Sequence, residues 1–234
     1  MVNFLYKDFY DVNDLIQVVH VLRGPGGCPW DREQTHESIR RDFQEEVCEV
    51  LEAIDRKDAD GLKEELGDVL LQVAFHTVLE EEQNGLTLDQ VADGICKKLI
   101  YRHPHVFGQV QVSGTQEVLS NWEELKKKEK HQRTGADTMD AVARTLPALW
   151  RAEKVQKKAQ KAGCAWPDAA EQAKAVCAAA EGLADAPDGE WAMGELLFNA
   201  VQMCRLLGVD PEQALNRTTD AFICDFRARE GQEK

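Results

Sequence analysis

The chain has 234 residues, with 42 Asp plus Glu against 28 Lys plus Arg, for a formal charge of -14. That length suffices for a buried core in one large or two small domains, and the acidic excess opposes nucleic-acid binding except where basic side chains cluster, so a polyanionic ligand requires a metal or a local basic patch. No run approaches the roughly 18 apolar residues of a membrane span, and the opening MVNFLYKDFYDVNDL lacks a charged segment followed by an apolar one, so the expectation is a cytoplasmic chain with no membrane or nucleic-acid partner.

Apolar residues recur at spacings of three and four, and alternating β-branched runs are nearly absent, which predicts an all-α fold. A first helix is predicted over about Asp11 to Arg23, stopped by the loop GPGGCPWD at 24 to 31. The second lies within His36 to Arg56 and carries the apolar stripe Ile39, Phe43, Val47, Val50 and Ile54. After a turn near Asp58 to Asp60, the third carries Leu62, Leu66, Val69, Leu70 and Val73 and ends at Asn84-Gly85. Thr87 followed by Gln90 reads as a capping box that opens a fourth helix to about Tyr101. RHPHVFGQVQVSG is read as a loop, and a further helix spans about Glu117 to Lys130, strongly basic at its end. The seven cysteines are scattered and form no CxxC pair, so they predict reduced, mostly helix-packing thiols rather than disulfides or a zinc site.

The second half repeats the first. GCPW at 27 to 30 returns as GCAW at 163 to 166, and EELGDVLLQVAFH at 64 to 76 returns as WAMGELLFNAVQM at 191 to 203. A duplicated helical unit follows, divided near the polar connector HQRTGADT into residues 1–135 and 136–234.

Glu46 and Glu49 are one helical turn apart, as are Glu65 and Asp68, and each pair projects from one helix face at the edge of an apolar stripe. If the two helices pack antiparallel, as their short connection favours, four carboxylates converge at the seam. Their mutual repulsion calls for protons or a cation, and an all-oxygen donor set favours Mg²⁺, with Mn²⁺ as a substitute. Downstream, Lys98 and Arg102 are four apart, as are Trp122 and Lys126, residue types that suit phosphates and a base. Lys98 and Arg102 equally suit a helix C-terminus, and Trp122 equally suits packing.

The runs GCPWDREQTHESIRRDFQEEVCEVLEAI, LKEELGDVLLQVAFH, KLIYRHPHVFG and NWEELKKKEK closely resemble the MazG nucleoside triphosphate pyrophosphohydrolases over nearly the whole first 130 residues. The family pattern Glu-Glu-x-x-Glu then Glu-x-x-Asp falls on Glu45, Glu46, Glu49, Glu65 and Asp68, with Glu64 at a further acidic position. Its Lys-x-x-x-Arg and Trp-x-x-x-Lys fall on Lys98, Arg102, Trp122 and Lys126. The resemblance implies hydrolysis of a nucleoside triphosphate to monophosphate and pyrophosphate by a homodimer, with Mg²⁺ held by Glu46, Glu49, Glu65 and Asp68. Glu45 would position or deprotonate the water; Lys98, Arg102 and Lys126 would grip phosphates, and Trp122 would border the base.

The second copy departs from the pattern. Ala192 and Glu195 stand where Glu65 and Asp68 stand, Ala221 and Asp225 replace Lys98 and Arg102, and no second Trp-x-x-x-Lys follows. Some family members use the second repeat for catalysis, so the resemblance implies a reversed division of labour here, with 136–234 structural or dimerising. Two other readings compete. A non-enzymatic helical adaptor would use the acids as solvated faces; a di-iron carboxylate bundle would use Glu33-x-x-His36 but lacks a second such motif.

Overall fold

The computed structural model describes residues 4–130 and 132–232, and among them every regular element is helical. In the first part of the chain these are α1 (Val12–Arg23), α2 (Pro29–Glu33), α3 (Arg40–Arg56), α4 (Ala59–Asn84), α5 (Leu88–Arg102) and α6 (Pro104–Phe107). There follow α7 (Thr115–Glu129), α8 (Gly135–Asp140), α9 (Ala148–Lys161), α10 (Ala169–Glu181), a 3-10 turn (Gly182–Asp185), α11 (Gly189–Leu207) and α12 (Pro211–Gln232). Two compact units divide this set, Met1–Gln111 and Val112–Lys234. This division falls before α7, whereas the repeat boundary read from the sequence lies near residue 135.

Local chemistry sets the helix ends in the first unit. Asp11 and Asp14 form a reciprocal capping box on α1, as do Thr87 and Gln90 on α5, satisfying amides that have no partner within the helix. Between α1 and α2 the backbone folds back so tightly that a Cβ on Gly27 would lie 2.2 Å from the Leu22 carbonyl oxygen, a contact only glycine avoids. The segments expected to be pure loop on either side of the acid-bearing helices each contain a short helix, α2 and α6, and both open on proline, whose fixed φ suits a first helical turn.

Helices α3 and α4 are joined through Lys57 and Asp58 and pack as a hairpin, with α1 laid on α4. Their core gathers Val19, Ile39, Ala74, Phe75, Val78 and Leu79 and draws in Leu15, Ile16 and Leu71. It lies toward the C-terminal half of α4, so the apolar stripes predicted for α3 and α4 are only partly buried. Ile39 is 3% exposed, but Val47, Ile54, Leu66 and Leu70 stand exposed because no element of the described unit covers that end of the hairpin. Arg23 ties the α1–α2 loop to α4: its guanidinium donates to both carboxylate oxygens of Glu82, at 2.9 and 2.7 Å, and to the carbonyls of Asp31 and Gln34. It also lies 5.4 Å from the Phe75 ring centre.

The second unit repeats this plan. There α9 and α10 both pack on α11, as α1 and α3 pack on α4, and GCAW occupies the connection that GCPW occupies in the first copy. Its interior is more polar. Gln156, Gln172 and Gln202 are fully buried; Gln156 donates to the Phe198 carbonyl at 2.8 Å and Gln172 to the Asn199 carbonyl at 3.0 Å. Along α11, Val201 is buried and Leu196 half-buried, while Leu197 and Leu206 are exposed. The cysteines are all free thiols, but Cys48, Cys96, Cys164, Cys177 and Cys224 are exposed rather than packed between helices. Among the described residues no helix is long and apolar enough to cross a membrane.

Candidate metal and nucleotide site

On the α3–α4 hairpin, Glu46 and Glu49 face Glu65, and ligand oxygens of all three lie within 4.8 Å of one another. Among the described residues, this is the one group of three or more potential metal ligands brought so close. Glu46 and Glu65 are half-buried at the edge of the hairpin's packed face and Glu49 is exposed, so the cluster borders both interior and solvent. Burial first, and then the charges of Asp68, Glu49 and Glu65, hold the Glu46 carboxyl above the usual carboxylate range. Glu65 is raised for the same leading cause, followed by Glu49, Glu64 and Asp68. Asp68 thus lies near enough to act on both carboxyls, although it is outside the close trio. Glu45 also lies outside it and accepts from Arg41 Nε at 2.8 Å, one turn back on α3.

This donor set fits a hard divalent cation. It offers carboxylate oxygens alone, on two helices held by a short connection, and the raised carboxyls show that the site would gain from positive charge. The second copy presents no such group among the described residues: Ala192 has no ligand atom, and Glu195 stands exposed on α11.

The other residues predicted from sequence are distributed between the units. Lys98 is exposed on α5, and Arg102, at the end of the same helix, is 7% exposed. Trp122 and Lys126 are on α7 of the second unit, with the Lys126 ammonium 4.8 Å from the Trp122 ring centre. His36, considered as an iron ligand, is engaged elsewhere: its Nδ1 lies 2.8 Å from His76 Nδ1 and its Nε2 lies 3.2 Å from a Glu80 carboxylate oxygen. The two imidazoles stack with centres 5.1 Å apart, and burial followed by the His36 charge pushes His76 below the usual histidine range.

Sequence reasoning passed over a row of lysines on α9. Lys154, Lys157, Lys158 and Lys161 line a cavity of about 560 Å³ together with Trp122 and Lys126. Their spacing of three, four and seven, in EKVQKKAQK, is the signal that would have placed them on one helix face.

Fold and side-chain placement together define a class: an all-α protein built from a repeated helical hairpin, one copy of which gathers carboxylates on a shared edge. Comparison with known proteins carries this further. Residues 34–107, which include the hairpin and α5, match the MazG nucleotide pyrophosphohydrolase domain. The chain is 38% identical to the nucleoside triphosphate pyrophosphohydrolase/pyrophosphatase MazG of Thermotoga maritima, over 93% of this chain and 84% of that one. It is 36% identical to the nucleoside triphosphate pyrophosphohydrolase of Escherichia coli, over 92% of this chain and 86% of that one. The Bacillus subtilis uncharacterized protein YabN is 41% identical over 92% of this chain, which spans 45% of that longer protein. The chain belongs to the MazG family.

Proposed function

We propose that this protein is a Mg²⁺-dependent nucleoside triphosphate pyrophosphohydrolase, releasing nucleoside monophosphate and pyrophosphate, with its working site on the α3–α4 hairpin. The observation that carries the proposal is the convergence of Glu46, Glu49 and Glu65 within 4.8 Å in a member of this family, where the second copy has Ala192 at the position of Glu65. Glu46, Glu49, Glu65 and Asp68 are the ligands; Mn²⁺ has the same preference for oxygen donors and substitutes. A cation held by these carboxylates would supply charge neutralisation for the triphosphate oxygens, which favours attack at the α phosphorus.

The chain's own groups do the rest. Glu45 orients the attacking water and takes its proton, a role that requires its carboxylate to leave Arg41. Lys98, Arg102 and Lys126 hold phosphate oxygens, and Trp122 borders the base. The products follow from the bond cut: the water oxygen joins the α phosphorus, the bond from that phosphorus to the α–β bridging oxygen breaks, and the bridging oxygen leaves with pyrophosphate. A role in clearing the cytoplasmic nucleotide pool accords with this chemistry.

The protein acts as a homodimer in this reading. Val47, Leu51 and Ile54 on α3, Leu66 and Leu70 on α4, and Val91, Ile95 and Leu99 on α5 are exposed apolar residues that a second copy would cover. Residues 136–234 then serve structure or assembly. The test is turnover of triphosphate by folded Glu46→Ala, Glu65→Ala and Asp68→Ala proteins. Each removes one ligand and should lower activity at least about 100-fold, and near-normal rates would mean that the acids are an ordinary solvated face.

A further inference from the structure

We propose that the cleft between α7, α8 and α9 is a metal-independent binding site for a small oligophosphate. Its walls come from a single compact unit, and they are basic in a chain whose formal charge is -14. Lys126, Lys127 and Lys130 line it from α7, and Lys154, Lys157, Lys158 and Lys161 from α9. Glu123 is the one carboxylate among the described lining residues, and it is paired with Lys161 across the cleft, which fixes the spacing of the two walls. Lys157 has an acidic neighbour on its own helix, Glu153.

Bringing these ammonium groups together costs free energy that a bound anion offsets. Lys158 registers that cost: burial lowers its ammonium below the usual lysine range, and Lys127, Lys130 and Lys161 depress it further against the opposing pull of Glu123. The cavity, about 560 Å³, falls within the roughly 300–1,000 Å³ typical of small-ligand pockets, a size that suits a compact polyanion. Ammonium groups on two facing helices suit successive phosphates, and here the lysines supply the neutralisation that a cation supplies on the acidic hairpin. The site shares Trp122 and Lys126 with the function proposed above but extends beyond it, because the α9 lysines have no place in that reading.

The test is isothermal titration of the full-length protein with sodium tripolyphosphate in EDTA, beside a nucleoside triphosphate under the same conditions. Tripolyphosphate should bind and weaken as salt rises; whichever ligand binds tighter identifies free oligophosphate or a nucleotide tail as the occupant. Lys154→Gln/Lys158→Gln should weaken binding by about tenfold or more, whereas Glu49→Ala, which removes a hairpin acid, should bind normally even where it abolishes hydrolysis. On the wild-type protein, tripolyphosphate should shield Lys154 and Lys158 from lysine acylation read by mass spectrometry, a result independent of how any variant folds. Absence of binding, absence of shielding, unchanged affinity in the double variant, or tighter binding of a single-stranded oligonucleotide with the same lysines shielded would each overturn the proposal.

Discussion

Replacing Glu49 by Gln should make the metal-free protein more stable while removing its response to Mg²⁺. The substitution keeps the side chain's size and deletes one charge from a group whose oxygens approach within 4.8 Å. For the Glu46–Glu49 pair alone, repulsion at that separation is about 0.9 kcal/mol with the dielectric of bulk water, a lower limit for a half-buried carboxylate facing an exposed one. Repulsion from Glu65 has the same sign. A gain of about 1 kcal/mol should raise the melting temperature by about 2–4 °C for a chain of this length. The pH dependence follows from the carboxyls of Glu46 and Glu65, which are raised in the folded state. Because they bind protons more readily folded than unfolded, their contribution is fully present below the ordinary carboxylate range and is lost as pH rises through their folded values. The advantage of Glu49→Gln should therefore be largest at neutral pH and vanish in acid. Differential scanning calorimetry in EDTA at several pH values, repeated with Mg²⁺, measures all of this. A variant less stable than wild type in EDTA, or one stabilised by Mg²⁺ as much as wild type, would refute the reasoning.

Two further outcomes are expected. Arg23 lowers the Glu82 carboxyl through their hydrogen-bonded pair, so that stability is present above the ordinary carboxylate value and is lost as pH falls through the depressed one; Glu82→Gln should remove this acid-side loss, worth about 0.5–1 kcal/mol for a pair whose carboxylate is exposed, as urea titrations across that range would detect. Glu195→Ala, at the second copy's counterpart of Asp68, should leave triphosphate turnover within about twofold of wild type, whereas abolished activity in a folded protein would locate the chemistry in the wrong copy.

The helices were legible because their ends are written locally. Asn84-Gly85 closes α4 with Gly85 at φ 73°, and Thr87 with Gln90 opens α5. Spacing likewise identified which acids share a face, since Glu46 and Glu49 need only helical geometry to point together. What periodicity does not carry is the identity of the surface opposite. Val47, Ile54 and Leu66 belong to proper apolar stripes yet are exposed, because the core closes around Phe75, Val78 and Leu79 farther along α4. Contacts between distant segments were also hidden: His36 meets His76 across 40 residues, and the α7 and α9 lysines share a cleft only once the intervening chain has turned back. In the second copy, burial of Gln156, Gln172 and Gln202 departs from any apolar pattern, and carbonyls of α11 accept from the side-chain amides of Gln156 and Gln172.

In the proposed reaction water attacks the α phosphorus, dependent on a divalent cation at the α3–α4 hairpin. Its most direct test is hydrolysis of a panel of nucleoside triphosphates in ¹⁸O-water with Mg²⁺, with products separated by chromatography and weighed by mass spectrometry. The expected products are pyrophosphate without label and nucleoside monophosphate carrying one ¹⁸O, both lost in EDTA or with Glu65→Ala. Release of nucleoside diphosphate and orthophosphate, label in pyrophosphate, or undiminished turnover in EDTA would contradict it.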